Sequence, residues 1–257
     1  MAARKWTFPF KVLAHRGGGT MVPENTMCAF ETGLRYGYNS MEFDVMLTAD
    51  KKAIIIHDEI LQRTVHAGEF EGKSVSEVHC EDILAMDAGS WKDPSFAHVR
   101  VPLFKNVLEY CVSNNIVMNI EIKPATNFDT ETGEVVAALT AEYFPTVNSK
   151  LMPLISSFSY DSLVAAKRVA NHIPRAFLIE SIDDTPDWKE RMSAIDAISL
   201  NVNHKLLTHE AAMEIKAAGY LLFCYTVNDI DRARELLAIG VDAFCTDRLD
   251  LFQGVQL

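Results

Sequence analysis

The 257-residue chain has no Cys-x-x-Cys pair, no run of lysine and arginine, no low-complexity tract, and no window near the ~20 continuous apolar residues of a membrane span. Each absence removes a class. Its five cysteines, Cys28, Cys80, Cys111, Cys224 and Cys245, are odd in number and scattered. That excludes a disulfide framework and a structural zinc site, and they read as buried free thiols. A formal net charge of −11 without a basic run argues against an electrostatic grip on nucleic acid or an anionic membrane. Met1 to Phe10 carries Arg4 and Lys5, but Pro9 and Lys11 interrupt its apolar stretch, which is too short for a secretory leader. The expected setting is reducing and cytoplasmic, without stable membrane association.

What is present is a globular composition, 49% apolar and 23% charged, over a length that suits one large core. Short β-rich runs alternate with amphipathic stretches, the pattern of a parallel sheet covered by helices. The runs are Lys11 to Ala14, Ser40 to Val45, Ile116 to Ile122, Leu154 to Ser156, Ala176 to Glu180, Ala197 to Leu200, Tyr220 to Val227 and Ala243 to Thr246. Between them, Thr26 to Tyr36, Leu103 to Cys111, Thr132 to Ala141, Asp161 to Ala170, His209 to Ala218 and Asp231 to Ala238 carry apolar residues three and four apart. Gly37, Gly219 and Gly240 stand where helix C-caps need a left-handed residue. Eight such units in ~250 residues predict a single (β/α)8 TIM barrel over 1–257, its sixth helix, Asp187 to Ser193, being short. Residues from about 58 to 100 break the alternation with Gly68, Gly72, Gly89 and Pro94. They read as a small inserted subdomain after the second strand, a candidate lid.

Charged and imidazole groups stand at the ends of the early runs: His15-Arg16-Gly17, Glu42-Phe43-Asp44, Ile54-Ile55-Ile56-His57-Asp58 and Glu121-Ile122-Lys123. Strand residues two apart share a face, so Glu42 lies beside Asp44 and Glu121 beside Lys123. Barrel sites form at the C-terminal ends of the strands, where these groups converge. Three carboxylates within ~5 Å of one another repel by about 3 kcal/mol per pair at an effective dielectric of ~20, so something positive must sit among them. Oxygen-only ligation suits Mg²⁺, Ca²⁺ or Mn²⁺. Arg16 and Lys123 acting as plain ion-pair partners are the alternative. Two histidines with ordinary pKa near ~6.5 can divide base and acid roles in phosphodiester cleavage. His66, His79, His98, His172, His204 and His209 read as solvated loop or helix-edge residues. The triple glycine after Arg16 permits close backbone approach but lacks the spacing of a nucleotide loop. Pro23-Glu24-Asn25-Thr26 reads as a helix start with Asn25 as N-cap, which leaves Glu24 free to support a residue that meets the ligand.

These motifs, with Leu61 and Arg63-Thr64 following His57-Asp58, resemble the series found in glycerophosphodiester phosphodiesterases. The likeness is densest from Val12 to Lys123 and continues through Ser157-Phe158, Thr226-Val227-Asn228 and Thr246-Asp247. It implies a metal-dependent barrel hydrolase that releases sn-glycerol 3-phosphate and an alcohol from a small glycerophosphodiester. Glu42, Asp44 and Glu121 would be metal ligands, His15 the base, His57 the acid, and Arg16 and Lys123 the phosphate contacts. Two positions depart from the family pattern, Tyr225 where tryptophan is frequent and Leu249 where proline is. They put in doubt the fine substrate fit and the last loop. A sister phospholipase of lysophospholipase D or sphingomyelinase D type would need an apolar membrane-facing loop, whereas Phe70, Trp91 and Phe96 of the insertion sit among many charges. A non-catalytic barrel that binds a phosphate ligand is the remaining alternative, disfavoured by the two histidines.

Overall fold

A computed structural model describes residues 6–146 and 151–257, so Arg4 and Lys5 lie outside the described residues. The apolar runs become β1 (Val12–Ala14), β2 (Ser40–Leu47), β3 (Ala53–Ile55), β4 (Val117–Ile122), β5 (Leu154–Ser157), β6 (Arg175–Ile179), β7 (Ser199–Asn203), β8 (Leu221–Tyr225) and β9 (Ala243–Thr246). All but β3 run parallel, in the order β1-β9-β8-β7-β6-β5-β4-β2, and a β1–β2 pairing shuts the ring. This is the expected (β/α)8 barrel. Its strands are buried along nearly their whole length because helices cover the outside and side chains fill the inside, which explains their continuous apolar runs.

The helices are α1 (Met27–Arg35), α2 (Cys80–Ala85), α3 (Phe104–Ser113), α4 (Asp129–Tyr143), α5 (Tyr160–Val169), α6 (Trp188–Ala194), α7 (His209–Ala217), α8 (Ile230–Ala238) and α9 (Leu249–Phe252). Gly37, Gly219 and Gly240 follow α1, α7 and α8 at φ +87°, +87° and +99°, the left-handed stop that only glycine adopts freely. Asn25 is not the N-cap of α1. Thr26 is, its hydroxyl accepting from the Ala29 N–H, and Asn25 sits at φ +57° with its side chain turned into the barrel mouth.

The run before His57 folds as β3, antiparallel to β2, with Val45 opposite Ile55 and Leu47 opposite Ala53. β2 climbs past the mouth, turns, and descends again as β3. The Ile56 N–H donates to the Asp44 carbonyl, so the next residue, His57, arrives beside Asp44. From there the chain enters the irregular segment, which contains α2 and three single turns of 3₁₀ helix. Leu61, Val65, Val75, Ile83 and Val101 bury one another and pack on Met46, Ile54 and Ile56 of the hairpin. Phe70, Trp91 and Phe96, the rings set among the insertion's charges, are half-buried, and the Trp91 indole N–H donates to the Ala88 carbonyl.

The main core lies between strands and helices. A smaller group, Leu13, Phe223, Ala243 and Cys245 with Phe8 and Tyr225 packed on it, fills the barrel axis beneath the mouth. Of the histidines read as solvated, His66, His79, His98 and His209 are exposed. His172 and His204 are half-buried, His172 bonding the Phe144 carbonyl and His204 leaving its Nδ1 buried without a partner.

Candidate active site

Glu42, Asp44 and Glu121 project from β2 and β4 into the barrel, where Asp44 is registered with Glu121. One oxygen from each lies within 4.8 Å of the other two, and all three side chains are buried. Cations stand near but not close. Arg16 Nε is 3.7 Å from Asp44 Oδ2, and Lys123 Nζ is 3.8 Å from Asp44 Oδ1 and 4.0 Å from Glu121 Oε1. Glu42 Oε1 and Arg16 Nε are buried with no hydrogen-bond partner. Asp44 is the best satisfied of the three, accepting 2.8 Å from the Asn25 amide.

Protonation follows from that placement. Burial, and then the charges of Asp44 and Glu121, push the Glu42 carboxyl well above the carboxylate range. Burial and the Asp44 charge push Glu121 up to about 8. Burial also acts upward on Asp44, but Lys123, His57 and Arg16 outweigh it and hold that carboxyl low. Without further positive charge the cluster therefore keeps one firm anion and two reluctant ones.

Each histidine is anchored through Nδ1. His15 follows β1 and bonds Asp247, which follows β9, at 2.6 Å, while its Nε2 points inward to within 3.7 Å of Glu42. The Asp247 carboxyl is pushed up by burial but held low by His15 and the Asn228 amide. His57 bonds Asp58 at 2.6 Å, and its Nε2 lies within hydrogen-bond distance of Lys123 Nζ. Burial lowers the His57 pKa, with Arg16 and Lys123 acting the same way against Asp44.

Arg16 adopts φ +51° as the first residue of a tight glycine turn, with its N–H on the Glu42 carboxylate at 3.2 Å. Its guanidinium reaches Glu24 at 2.5 Å. Burial acts against its charge, but Asp44, Glu24 and Glu42 raise its pKa. The structure thus brings His15, Arg16, Glu42, Asp44, His57, Glu121 and Lys123 to one cavity of about 220 Å³. Glu24 stands behind Arg16. Opposite the charges is a wall of Phe158, Leu178, Phe223 and Tyr225, the Phe158 and Tyr225 rings meeting edge to face at 5.7 Å. The Tyr225 hydroxyl is committed to the Ile179 carbonyl at 2.9 Å. Leu249, the other departure, is buried at the start of α9, and its carbonyl accepts from the Tyr38 hydroxyl at 3.1 Å.

Sequence reasoning gave no role to Asp58, Asp247 or Arg63, and it read Asn25 as a helix cap where its amide instead donates to Asp44. A usable signal existed for Asp247: it directly follows the strand that must close on β1, and so it had to emerge beside His15.

A model of the glycerophosphoryl diester phosphodiesterase family matches residues 15–251. A glycerophosphodiester phosphodiesterase of Caldanaerobacter subterraneus is 31% identical over 236 residues, 92% of this chain and 93% of that protein. The structure of an Oleispira antarctica phosphodiesterase in complex with its product sn-glycerol-3-phosphate superposes with a TM-score of 0.85 at 29% identity, over 95% of both chains. A glycerophosphodiester phosphodiesterase of Agrobacterium tumefaciens gives 0.77 at 26% identity, over 95% of this chain and 99% of that one.

Proposed function

The chain belongs to the glycerophosphoryl diester phosphodiesterase family and is a phosphoric diester hydrolase, and from that premise we propose that it converts glycerophosphodiesters to sn-glycerol 3-phosphate and an alcohol with a divalent cation and two histidines. The observation that carries the reading is three buried carboxylates within 4.8 Å of one another, in a cavity that both imidazoles line.

The donor set fits a hard cation. The oxygens of Glu42, Asp44 and Glu121 converge, Glu42 Oε1 is buried without a partner, and the nearest lysine and arginine contacts, at 3.7–4.0 Å, are too long to satisfy the charges as direct pairs. When bound, Mg²⁺, Ca²⁺ or Mn²⁺ supplies Lewis-acid polarisation of the phosphoryl oxygens. Arg16 and Lys123 hold those oxygens from the sides. Asp247 fixes His15 with the proton on Nδ1, leaving the Nε2 lone pair to take the proton of the attacking oxygen as a new P–O bond forms. His57 then delivers a proton from Nε2 to the departing alkoxide as the old P–O bond breaks. Burial disfavours the imidazolium this needs. The arriving phosphodiester offsets that by drawing Lys123 off Nε2 and placing negative charge beside the ring.

The cavity favours a small head group. Its volume of about 220 Å³ lies below the roughly 300–1,000 Å³ of pockets for drug-sized ligands. Most of the insertion's apolar side chains feed its own core, with Ile60 the exposed exception, which supports a small diester over a membrane-embedded lysophospholipid or sphingomyelin. No described helix is long and apolar enough to cross a membrane. The unpaired cysteines support a cytoplasmic setting, and the acidic balance supports a small-molecule partner over nucleic acid.

The test is release of sn-glycerol 3-phosphate from a panel of glycerophosphodiesters, lysophospholipids and sphingomyelin in defined metal buffers. EDTA should stop turnover and Mg²⁺, Ca²⁺ or Mn²⁺ restore it. His15→Ala and His57→Ala should each lower kcat by about 10²–10⁴-fold with the fold retained. Full activity without metal would return the carboxylates to the ion-pair reading, and tight binding without turnover would make the barrel a binder.

A further inference from the structure

Arg63 lies in the insertion, outside the cavity that holds the two histidines, on an adjoining open cleft that His57 and Lys123 also line, and both edges of its guanidinium are occupied. Nε and Nη2 donate to Asp58 Oδ2 and Oδ1 at 2.6 and 3.0 Å. Nη1 and Nη2 donate to Glu24 Oε2 and Oε1 at 2.8 and 2.7 Å. Each of those carboxylates reaches one step further in. Asp58 Oδ1 accepts from His57 Nδ1 at 2.6 Å, and Glu24 Oε1 accepts from Arg16 Nη1 at 2.5 Å. One planar group therefore ties the carboxylate that aims an imidazole to the carboxylate that aims a guanidinium.

We propose that Arg63 is a positioning residue that couples His57, through Asp58, to Arg16, through Glu24. The backbone around it is fixed from below. Leu61 and Val65, two residues to either side, are fully buried in the insertion's core. Leu61 also exchanges hydrogen bonds with Lys73 and Gly72. The insertion on this account acts as a brace that sets the angle of Arg63, and none of its residues lines the cavity. Lysine cannot replace the fork, because one ammonium cannot present two parallel pairs of donors.

The inference rests on the assignment of His57 and Arg16 to the reaction, so its test needs a readout that is independent of turnover. In wild type the His57 Nδ1 proton, held on Asp58, should be visible by NMR and slow to exchange. In Arg63→Ala it should exchange about 10-fold faster or vanish, with the thermal midpoint little changed. Kinetically, Arg63→Ala should lower kcat by about 10–100-fold and raise KM, and Arg63→Lys should fall between it and wild type. Asp58→Ala should reproduce the kcat part and Glu24→Ala the KM part. Adding Arg63→Ala to the Asp58→Ala/Glu24→Ala double variant should cost nothing more.

An unchanged exchange rate, a multiplicative further loss in the triple variant, or an activity loss explained by a fallen thermal midpoint would each overturn the proposal. If wild type hydrolyses none of the diesters, the assigned reaction fails, while the exchange measurement still decides the role of Arg63.

Discussion

Gly19 shows how tightly one residue can be tied to the mouth. It sits at φ +56°, and a β-carbon there would lie 2.2 Å from the Asp247 carbonyl oxygen, an overlap with backbone that no rotamer relieves. That carbonyl also receives the Thr20 N–H at 2.9 Å, so the turn and the anchor of His15 are one unit. Gly19→Ala should therefore destabilise the fold by about 2–4 kcal/mol, left-handed strain and overlap together. It should also reduce kcat beyond what unfolding accounts for, which denaturant titration and steady-state kinetics on the same preparation would separate. At this scale His15, His57 and the three carboxylates were legible, because charged groups closing apolar runs have few places to go in a barrel. Asp58, Asp247 and Arg63 were not. A carboxylate or arginine just beyond a strand is indistinguishable from a solvated loop charge until the ring or carboxylate it serves is located in space.

Among the elements, the strands and long helices followed their periodicities closely, and α4 merely extends three residues before and two after the apolar stretch that marked it. The insertion is different. Its 3₁₀ turns and the six-residue α2 are too short for a period to show, and Ser74 and Asp93 cap two of the turns with their own side chains. Asp87 holds its own loop in the same way. Burial acts upward on its carboxyl, but the Ser90 hydroxyl and the N–H groups of Ser90 and Gly89 hold it down at about 2. Because this lies below the unfolded value of ~3.9, the stabilisation is complete above that value and is lost as pH falls toward 2. Asp87→Asn should lower the thermal midpoint near neutral pH, and its deficit relative to wild type should shrink on acidification from about pH 5 to about pH 2. A deficit constant across that window would show that the charge contributes nothing. The mistaken cap at Asn25 has a similar origin: asparagine is an equally good cap, but here the left-handed backbone commits its amide to Asp44.

For the whole molecule, the net charge of −11 surrounds a cavity that must admit an anion. On the proposed reading the local cations Arg16 and Lys123 bind at short range, whereas the acidic surface repels over a Debye length that contracts from ~30 Å at 10 mM salt to ~8 Å at 0.15 M. At saturating metal, kcat/KM for a net-anionic diester such as glycerophosphoglycerol should rise about two- to threefold over that range, and that for zwitterionic glycerophosphocholine should hardly move. A fall for the anionic substrate would mean that the mouth, not the surface, sets the encounter. The barrel itself was legible from the alternation of runs alone, and its closure brings the last strand against the first. All three acidic side chains of the cluster belong to the first half of the polypeptide, but the partner of His15 is supplied by residue 247. A ribosome-bound chain halted short of β9 would already carry all three carboxylates proposed to hold the cation, yet would leave that imidazole unmoored. Affinity for the ion and competence for chemistry would then arise at different moments of synthesis.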